Sequence, residues 1–529
     1  MRPPQESRLR NPGFMHRRDF LRHGAAALVT ASLPARAFGI IVQDGNRPAT
    51  PCGVATGDVA GGRAIVWSRT DRPARMIVEY STTASFADRR RVVGPAALED
   101  TDFTARVDLT DLPPGQRMSY RVQFQDLSDL RAFSVPLEGT FQTPSQQQDR
   151  DVVFSFSADS VGQGWGIDPA HGGLALYDAM RRAEPDVFIH LGDTIYADQP
   201  LQREVPLDDG SVWRNIVTEP KSRVAQALAD YRGCHLYNFQ DQHLKRFGSE
   251  VSQVVLWDDH EVRDNWYPTQ RLDADARYAV KSVALLAARA KRAFLEYQPL
   301  RINPIEAERI YRSWSRGPLL EVFALDMRTY RGANSPNVQP ELNDDSAILG
   351  SAQVSWLKNA LAGSTSMWKV IASDMPIGLV VLDVGGRFEA VANRNDGPPL
   401  GRELEIAEVL AFIRDRNIRN VIWITADVHY AAAHHYDPSR ASFTRFAPFW
   451  EFVAGPLHAG TFGPNALDRT FGPEVRFLAI PPGMKPNRPP SDGLQFFGLG
   501  RIDHRTRALT MQIRNRKGDT LFSIELPAE

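Results

Sequence analysis

Hydrophobic and polar positions divide this chain into two stretches with different periods. From about residue 50 to 143 they alternate. "ARMIVEY" puts Met76, Val78 and Tyr80 on one face, and "RMSYRVQF" does the same with Met118, Tyr120, Val122 and Phe124. Turn signals at Asp71–Pro73 and Pro113-Pro114-Gly115 punctuate these runs, with no amphipathic stretch of helix length between them. A period of two sends successive side chains to opposite faces, so the pattern predicts a small antiparallel β-sandwich of the immunoglobulin or fibronectin kind over 48–143. The polar segment "TPSQQQD" (143–149) reads as a linker.

Beyond residue 150, short apolar runs alternate with segments of helical period. Strands are predicted at Val152–Ser157, Val187–Leu191, Val254–Trp257, Glu321–Leu325, Val370–Ser373 and Val421–Thr425, and helices near 172–183, 273–297, 352–362 and 402–416. Strand character returns after 450 in "FWEFVAG", "ALTMQIRN" and "TLFSIEL". Such alternation predicts a layered α/β domain over 150–529, with a mixed sheet or two packed sheets. The Pro/Gly-rich segments 330–350, 380–401 and 456–495 read as long loops, where substrate-facing residues concentrate.

Composition narrows this little. The 529 residues leave room for two or three domains, and 43% hydrophobic with 24% charged residues is ordinary for a globular chain. A formal charge of -1 gives no bulk attraction to nucleic acid, so no nucleic-acid partner is expected. No run reaches the ~18 apolar residues that span a bilayer, so no transmembrane segment is expected. Two cysteines, Cys52 and Cys234, exclude a disulfide framework; a single bridge stays open beside the favoured reading of two free thiols.

The amino-terminal segment changes the picture more. "MHRRDFLRHGAAALVTASLPARAF" holds Arg17-Arg18, then Phe20 and Leu21, a mild apolar stretch, and Ala35-Arg36-Ala37. Basic region, short apolar region and small-x-small site predict a cleaved leader over 1–37, and the arginine pair followed by x-Phe-Leu resembles a twin-arginine signal. The twin-arginine translocase is then a partner during export, and the destination is the periplasm, cell envelope or extracellular space. That route carries folded proteins, often with metal already loaded.

The predicted strands also share a way of ending. "VVFSFSAD" ends at Asp159, "FIHLGD" at Asp193 with Tyr196 beyond, and "VVLWDDHEV" at Asp258, Asp259 and His260. "VIASD" ends at Asp374, and "VIWITADVH" at Asp427 and His429. Singly, an Asp after a strand is most often a turn former or a helix cap. Five strand ends carrying carboxylates would concentrate negative charge at one sheet edge, which is costly unless cations sit there. Carboxylate and phenolate oxygens suit Fe(III), Ca, Mg or Mn, and imidazole suits Fe and Zn. A strand-end carboxylate can bridge two ions about 3.5–4 Å apart, the spacing used for in-line displacement at phosphorus. Tyr196 can reach the same ion as Asp193, and since free tyrosine titrates near ~10, a bound phenolate favours ferric iron.

The series Gly-Asp-x-x-Tyr, Trp-Asp-Asp-His-Glu and Asp-Val-His resembles the calcineurin-like metallophosphoesterases, and within them the alkaline phosphatase D family. "GVATGDVAGGRAIVWSR" (53–69), "LDMRTYRG" (325–332), "LGSAQVSWL" (349–357) and "FWEFVAGPLHAGTFGP" (449–464) are similar to that family's other landmarks. The resemblance implies an α/β/β/α catalytic domain that hydrolyses phosphate mono- or diesters by attack of a metal-bound hydroxide. It implies that Asp193 bridges two ions, that Tyr196, His429 and Asp159 bind ferric iron, and that Asp259 and Asp427 bind the second ion. The family suggests calcium there, with zinc, manganese or magnesium open. His260 is then a donor to the phosphoryl oxygen or a general acid, not a ligand. Asn265 is a further candidate ligand of the second ion, and Asp258 an orienting residue. Asp374 is weighed between strand-end cap and ligand, with the cap favoured. His190, His434 and His435 read as structural or rim residues. One departure stands out: the family's well-known members carry an iron-binding cysteine where this chain has Asp159, the residue used across the wider superfamily, purple acid phosphatases included. Two rivals remain: a lipid or nucleic-acid phosphodiesterase on the same fold, and a binding protein for a cell-envelope polymer with a degenerate catalytic domain. The retained set Asp159, Asp193, Tyr196, Asp259, His260 and His429 argues against the second.

Overall fold

Alternation within the apolar strands dictates a four-layer arrangement. In the strand Val152–Ser157, Phe154 and Phe156 enter one buried cluster while Val153 enters another. In Val421–Thr425, Ile422 and Ile424 face that same first cluster and Trp423 the opposite side. Both faces of each strand are therefore covered, as the near-continuous apolar runs require. The computed structural model describes residues 46–147 and 149–529; the leader expected over 1–37 lies outside them.

Among the described residues the two largest sheets have nine and seven strands. The centre of the first is the parallel trio Val152–Ser157, Val187–His190 and Ser252–Val255. The centre of the second is the parallel set Leu320–Ala324, Trp368–Ala372, Val421–Thr425 and Phe449–Val453. Their facing side chains (Phe154, Ile189 and Val254 against Val322, Val370 and Ile424) form the main core. Helices Ser351–Gly363 and Glu403–Asp415 cover the outside of the seven-stranded sheet. Helices Leu176–Arg182, Leu228–Asn238, Gln242–Glu250 and Val283–Tyr297 lie with the nine-stranded one. This is the metallophosphoesterase-type α/β/β/α layering.

The amino-terminal β region forms two facing layers, but one of them is not separate. Val54–Ala60, Arg63–Arg69 and Thr104–Leu109 continue the nine-stranded sheet, joined to Ser252–Val255 by a parallel pairing at Gly57 and Gln253. The other layer is a four-stranded sheet of Arg90–Ala97, Ala74–Ser81, Arg117–Asp126 and Leu137–Gln142. Met76, Val78, Tyr120 and Val122 face the first layer, as their period of two predicts.

Some elements start elsewhere than the pattern suggests. The helix predicted from 273 begins at Val283, because Asp275 turns the chain by bonding the Arg277 backbone and Ser282 caps the first turn through Leu285 N. The strands Ala432–Tyr436 and Pro473–Leu478 pair antiparallel beside Phe449–Val453, where no strand was expected. Both cysteines are buried and free. Among the described residues no helix is long and apolar enough to cross a membrane.

Candidate metal centre

Parallel strands present their carboxyl ends at one edge, and the loops leaving that edge hold Asp159, Asp193, Tyr196, Asp258, Asp259, His260, Asp374, Asp427 and His429. The backbone is bent to aim them. Asp159, Asp193, Asp427 and His429 all take left-handed conformations, with φ of 62°, 54°, 65° and 60°. A non-glycine residue there is uncommon and marks a site where the fold over-determines the backbone. Gly192 makes the second of these turns possible: it has φ of 126°, and a Cβ on it would lie 2.4 Å from Asp258 Cβ.

The first half of the site gathers Asp159, Asp193, Tyr196 and His429. One ligand atom from each of Asp159, Asp193 and His429 lies within 4.8 Å of the others. Tyr196 places its hydroxyl 2.9 Å from His429 Nε2, and His429 Nδ1 is 2.6 Å from the Gly460 carbonyl, leaving Nε2 as the inward nitrogen. Asp159 is fully buried, and neither of its carboxylate oxygens has a hydrogen-bond partner. Gly455 leaves the room for it; a Cβ there would meet Asp159 Oδ2 at 2.2 Å. Burial, followed by repulsion from Asp258, pushes the Asp159 carboxyl well above its usual range. Burial and then Asp259 do the same to Asp193, and burial lowers His429 to about 4. Buried charges persist only when paired, so this donor set fits a cation among these oxygens and a neutral imidazole nitrogen.

The second half shares Asp193. Asp193, Asp259 and His260 form another group within 4.8 Å, and Asp258, Asp259 and Asp427 a third. Asp259 is fixed by the Asn265 backbone N–H, 2.6 Å from its Oδ2. Burial raises the Asp427 carboxyl, with Glu389 and Asp258 adding to the effect. In Asp259 burial works the same way but is outweighed by His260 and Arg328, which hold that carboxyl below its ordinary value.

His260 is anchored from outside the groups. Its Nδ1 lies 2.8 Å from Asp198 Oδ1, and its ring stacks on Tyr196 with centroids 4.2 Å apart. Its Nε2 faces Asp264 at 3.8 Å and Asp259 at 4.0 Å. Burial alone would lower this imidazole; Asp259 and Asp198 outweigh it and raise it to about 10.

Three positioning residues escaped sequence reasoning. Glu261 accepts from the backbone N–H groups of Asp193 at 3.0 Å and Asp258 at 2.7 Å, tying two strand-end loops together. Asp198 follows Asp193 by five residues in "GDTIYAD", a signal that could have been read. Arg328 stands in "LDMRTYRG", and its guanidinium reaches Asp258, Asp374, Glu389 and Asp427. Asp374 gives one carboxylate oxygen to Arg328 while the other is buried without a hydrogen-bond partner, and it belongs to none of the ligand groups. Asp258 pairs with Arg328 through one oxygen while still facing Asp259 and Asp427. The Asn265 amide is satisfied when its nitrogen donates to Glu389 at 3.2 and 2.9 Å. His190 bonds Ser160, His434 bonds Glu451 and His435 packs on Trp450, all outside the ligand groups.

Comparison with known proteins places this geometry. The family described as PhoD-like phosphatase matches residues 156–513, and the PhoD-like phosphatase N-terminal domain matches 35–145. Alkaline phosphatase D of Bacillus subtilis (strain 168) is 31% identical over 312 residues, covering 56% of this chain and 50% of that protein. The chain thus spans about half the length of this curated relative. A solved structure of PhoD superposes with a TM-score of 0.67 at 21% identity, covering 91% of this chain and 90% of that one. Purple acid phosphatase PPD1 from yellow lupin (Lupinus luteus) seeds superposes with a TM-score of 0.56 at 12% identity, covering 92% and 75%. Both likenesses speak to the fold. Because the family match runs from the strand before Asp159 past His429 and is joined to its own amino-terminal domain, the chain belongs to the PhoD-like phosphatase family.

Proposed function

We propose that this protein is an exported, dinuclear-metal phosphoesterase that hydrolyses phosphate mono- or diesters. One observation carries the reading: Asp193 lies within reach of Asp159 and His429 on one side and of Asp259 on the other, with Asp427 in turn beside Asp259, so a single carboxylate can serve two ions. Asp159, Asp193, Tyr196 and His429 would hold ferric iron. Asp193, Asp259 and Asp427 would hold the second ion, calcium in this reading, with zinc, manganese and magnesium as alternatives. When bound, such ions supply Lewis acidity that activates water and offsets charge at phosphorus.

The chain's own residues do the rest. Asp198 accepts from His260 Nδ1 and Tyr196 supports the ring, so Nε2 is the nitrogen that offers a proton to the departing oxygen or a hydrogen bond to the phosphoryl group. Burial of Asp159 and Asp193 excludes bulk water from the first half of the site. Export is supported by the Arg17-Arg18 leader, which would engage the twin-arginine translocase.

The full chain should hydrolyse p-nitrophenyl phosphate or its bis ester, carry two metal equivalents, and show a visible tyrosinate-to-iron band that Tyr196→Phe bleaches. Failure to turn over either ester with both ions bound would refute the phosphoesterase reading. A colourless, fully active zinc or calcium enzyme would refute only the ferric assignment. Replacing Arg17 and Arg18 by Lys should strand active enzyme in the cytoplasm; unchanged extracytoplasmic activity would remove the export claim.

A further inference from the structure

The second half of the site brings a cation of its own. Arg328 is fully buried, and its guanidinium lies 2.6 Å from Asp258 Oδ1, 3.2 Å from Asp374 Oδ2 and 3.4 Å from Asp427 Oδ1. It also bonds Glu389 Oε1, and Asp259 Oδ1 stands 4.0 Å away. These carboxylates come from four separate strand ends and loops. A guanidinium can meet them together because it offers five N–H donors in one rigid planar fork, always charged. Glu389 is itself held from behind, since Arg331 and Arg402 donate to its backbone carbonyl. The Asn265 amide closes on its carboxylate, and the Asn265 backbone N–H fixes Asp259. Arg328 is thus wired to both Asp427 and Asp259, one directly and one through Glu389 and Asn265.

We propose that Arg328 is a positioning residue acting as a fixed cation: it draws Asp258, Asp374 and Glu389 onto itself and so leaves Asp427 and Asp259 as the carboxylates presented to the second ion. The inference rests on the metal-dependent reading above. It assigns the first half of the site no such dependence, because Asp159, Tyr196 and His429 make no bond to Arg328.

The test is metal retention by the full chain, purified with its ions, challenged with graded EDTA and counted by mass spectrometry. Arg328→Lys keeps the charge but loses the fork. It should release one equivalent at an EDTA concentration about 10–100-fold lower than wild type, the usual cost of losing a partner that orients a ligand, while the other equivalent stays. Arg328→Gln should do the same or worse, and Arg328→Lys keeps the question answerable if that variant does not fold. Equal retention of both ions by Arg328→Lys and wild type would overturn the inference. Loss of both ions together would overturn it too, marking Arg328 as a residue of the scaffold at large. A wild-type chain that carries no metal and turns over no ester would instead bring down the functional reading on which this one stands.

Discussion

The two halves of this acidic site sit at the same sheet edges and use the same left-handed strand ends, yet they balance their charge differently. Around Asp159 no described side chain bonds the carboxylate: both oxygens are orphaned, His260 acts on it only through space, and burial keeps His429 neutral. In the second half a buried arginine pairs with Asp427 and Asp258, and a charged imidazole faces Asp259. A buried carboxylate left unpaired is expensive, and it escapes the cost only by taking a proton or a cation. Under the proposed function, the first half would therefore rely on an ion from outside to carry its charge. The second half is partly neutralised by the fold, so an ion there would be needed less to balance charge.

Asp193 is where the contrast breaks down, because it serves both halves. Asp193→Ala should cost the most, exceeding the loss of about 10²–10⁴-fold usual for removing a general acid or base, and both ions should leave. Assays of kcat beside metal analysis check this; retention of one full equivalent would mean that Asp193 serves only one half. His260→Ala should come next, lowering kcat by about 10²–10⁴-fold with the metal content unchanged. Loss of an equivalent from that variant would make His260 a ligand and leave the proton without a donor.

The same contrast explains what could be read in the sequence. Strand-end residues were legible because each follows an apolar run whose direction fixes where the next side chain goes; Asp159, Asp193, Asp259, Asp427 and His429 all converge as that rule implies. The first half consists almost wholly of such residues. The second half does not. Glu389 comes from the 380–401 loop, which carries no periodicity, and Arg328 lies four residues past its strand, in a motif noticed only as a landmark. Asp374 stayed between cap, ligand and supporting residue for the same reason: its partner is a distant arginine, and no local pattern distinguishes that from a cap. The shared sheet escaped notice because it hangs on one parallel pairing between Gly57 and Gln253, which are far apart in the chain.

If the first half relies on an external ion, stability should show it. An ion present at 100 times its dissociation constant stabilises a fold by about 2.7 kcal/mol, so EDTA should lower the wild-type melting temperature appreciably. Asp159→Asn removes the buried charge that the ion compensates, and the fall on adding EDTA should shrink in that variant. Calorimetric scans with and without chelator measure the difference. An identical fall in both proteins would mean that Asp159 carries no share of the ion, and that the fold tolerates its orphaned oxygens for another reason.

The smallest effect expected is none, and it bears on the residue at which this chain departs from its resemblance. Where the well-known members carry an iron-binding cysteine, this chain offers a carboxylate, which cannot be alkylated and does not enter the sulfur oxidation ladder. Its two thiols lie elsewhere: Cys52 precedes the strand Val54–Ala60, and Cys234 lies within the helix Leu228–Asn238. Burial pushes Cys52 up to about 12 and Cys234 up to about 11, so neither presents the thiolate that reacts. Iodoacetamide or mild peroxide should therefore leave turnover and iron content untouched over times that inactivate an enzyme with a cysteine ligand. Asp159→Cys supplies the contrast within one protein: it should keep iron, shift the visible band, and become sensitive to both reagents. Inactivation of the wild type in step with labelling of Cys52 or Cys234 would show that a thiol supports the site after all. Resistance of Asp159→Cys would show that position 159 never touches the ion, and the contrast between the two halves would lose its first member.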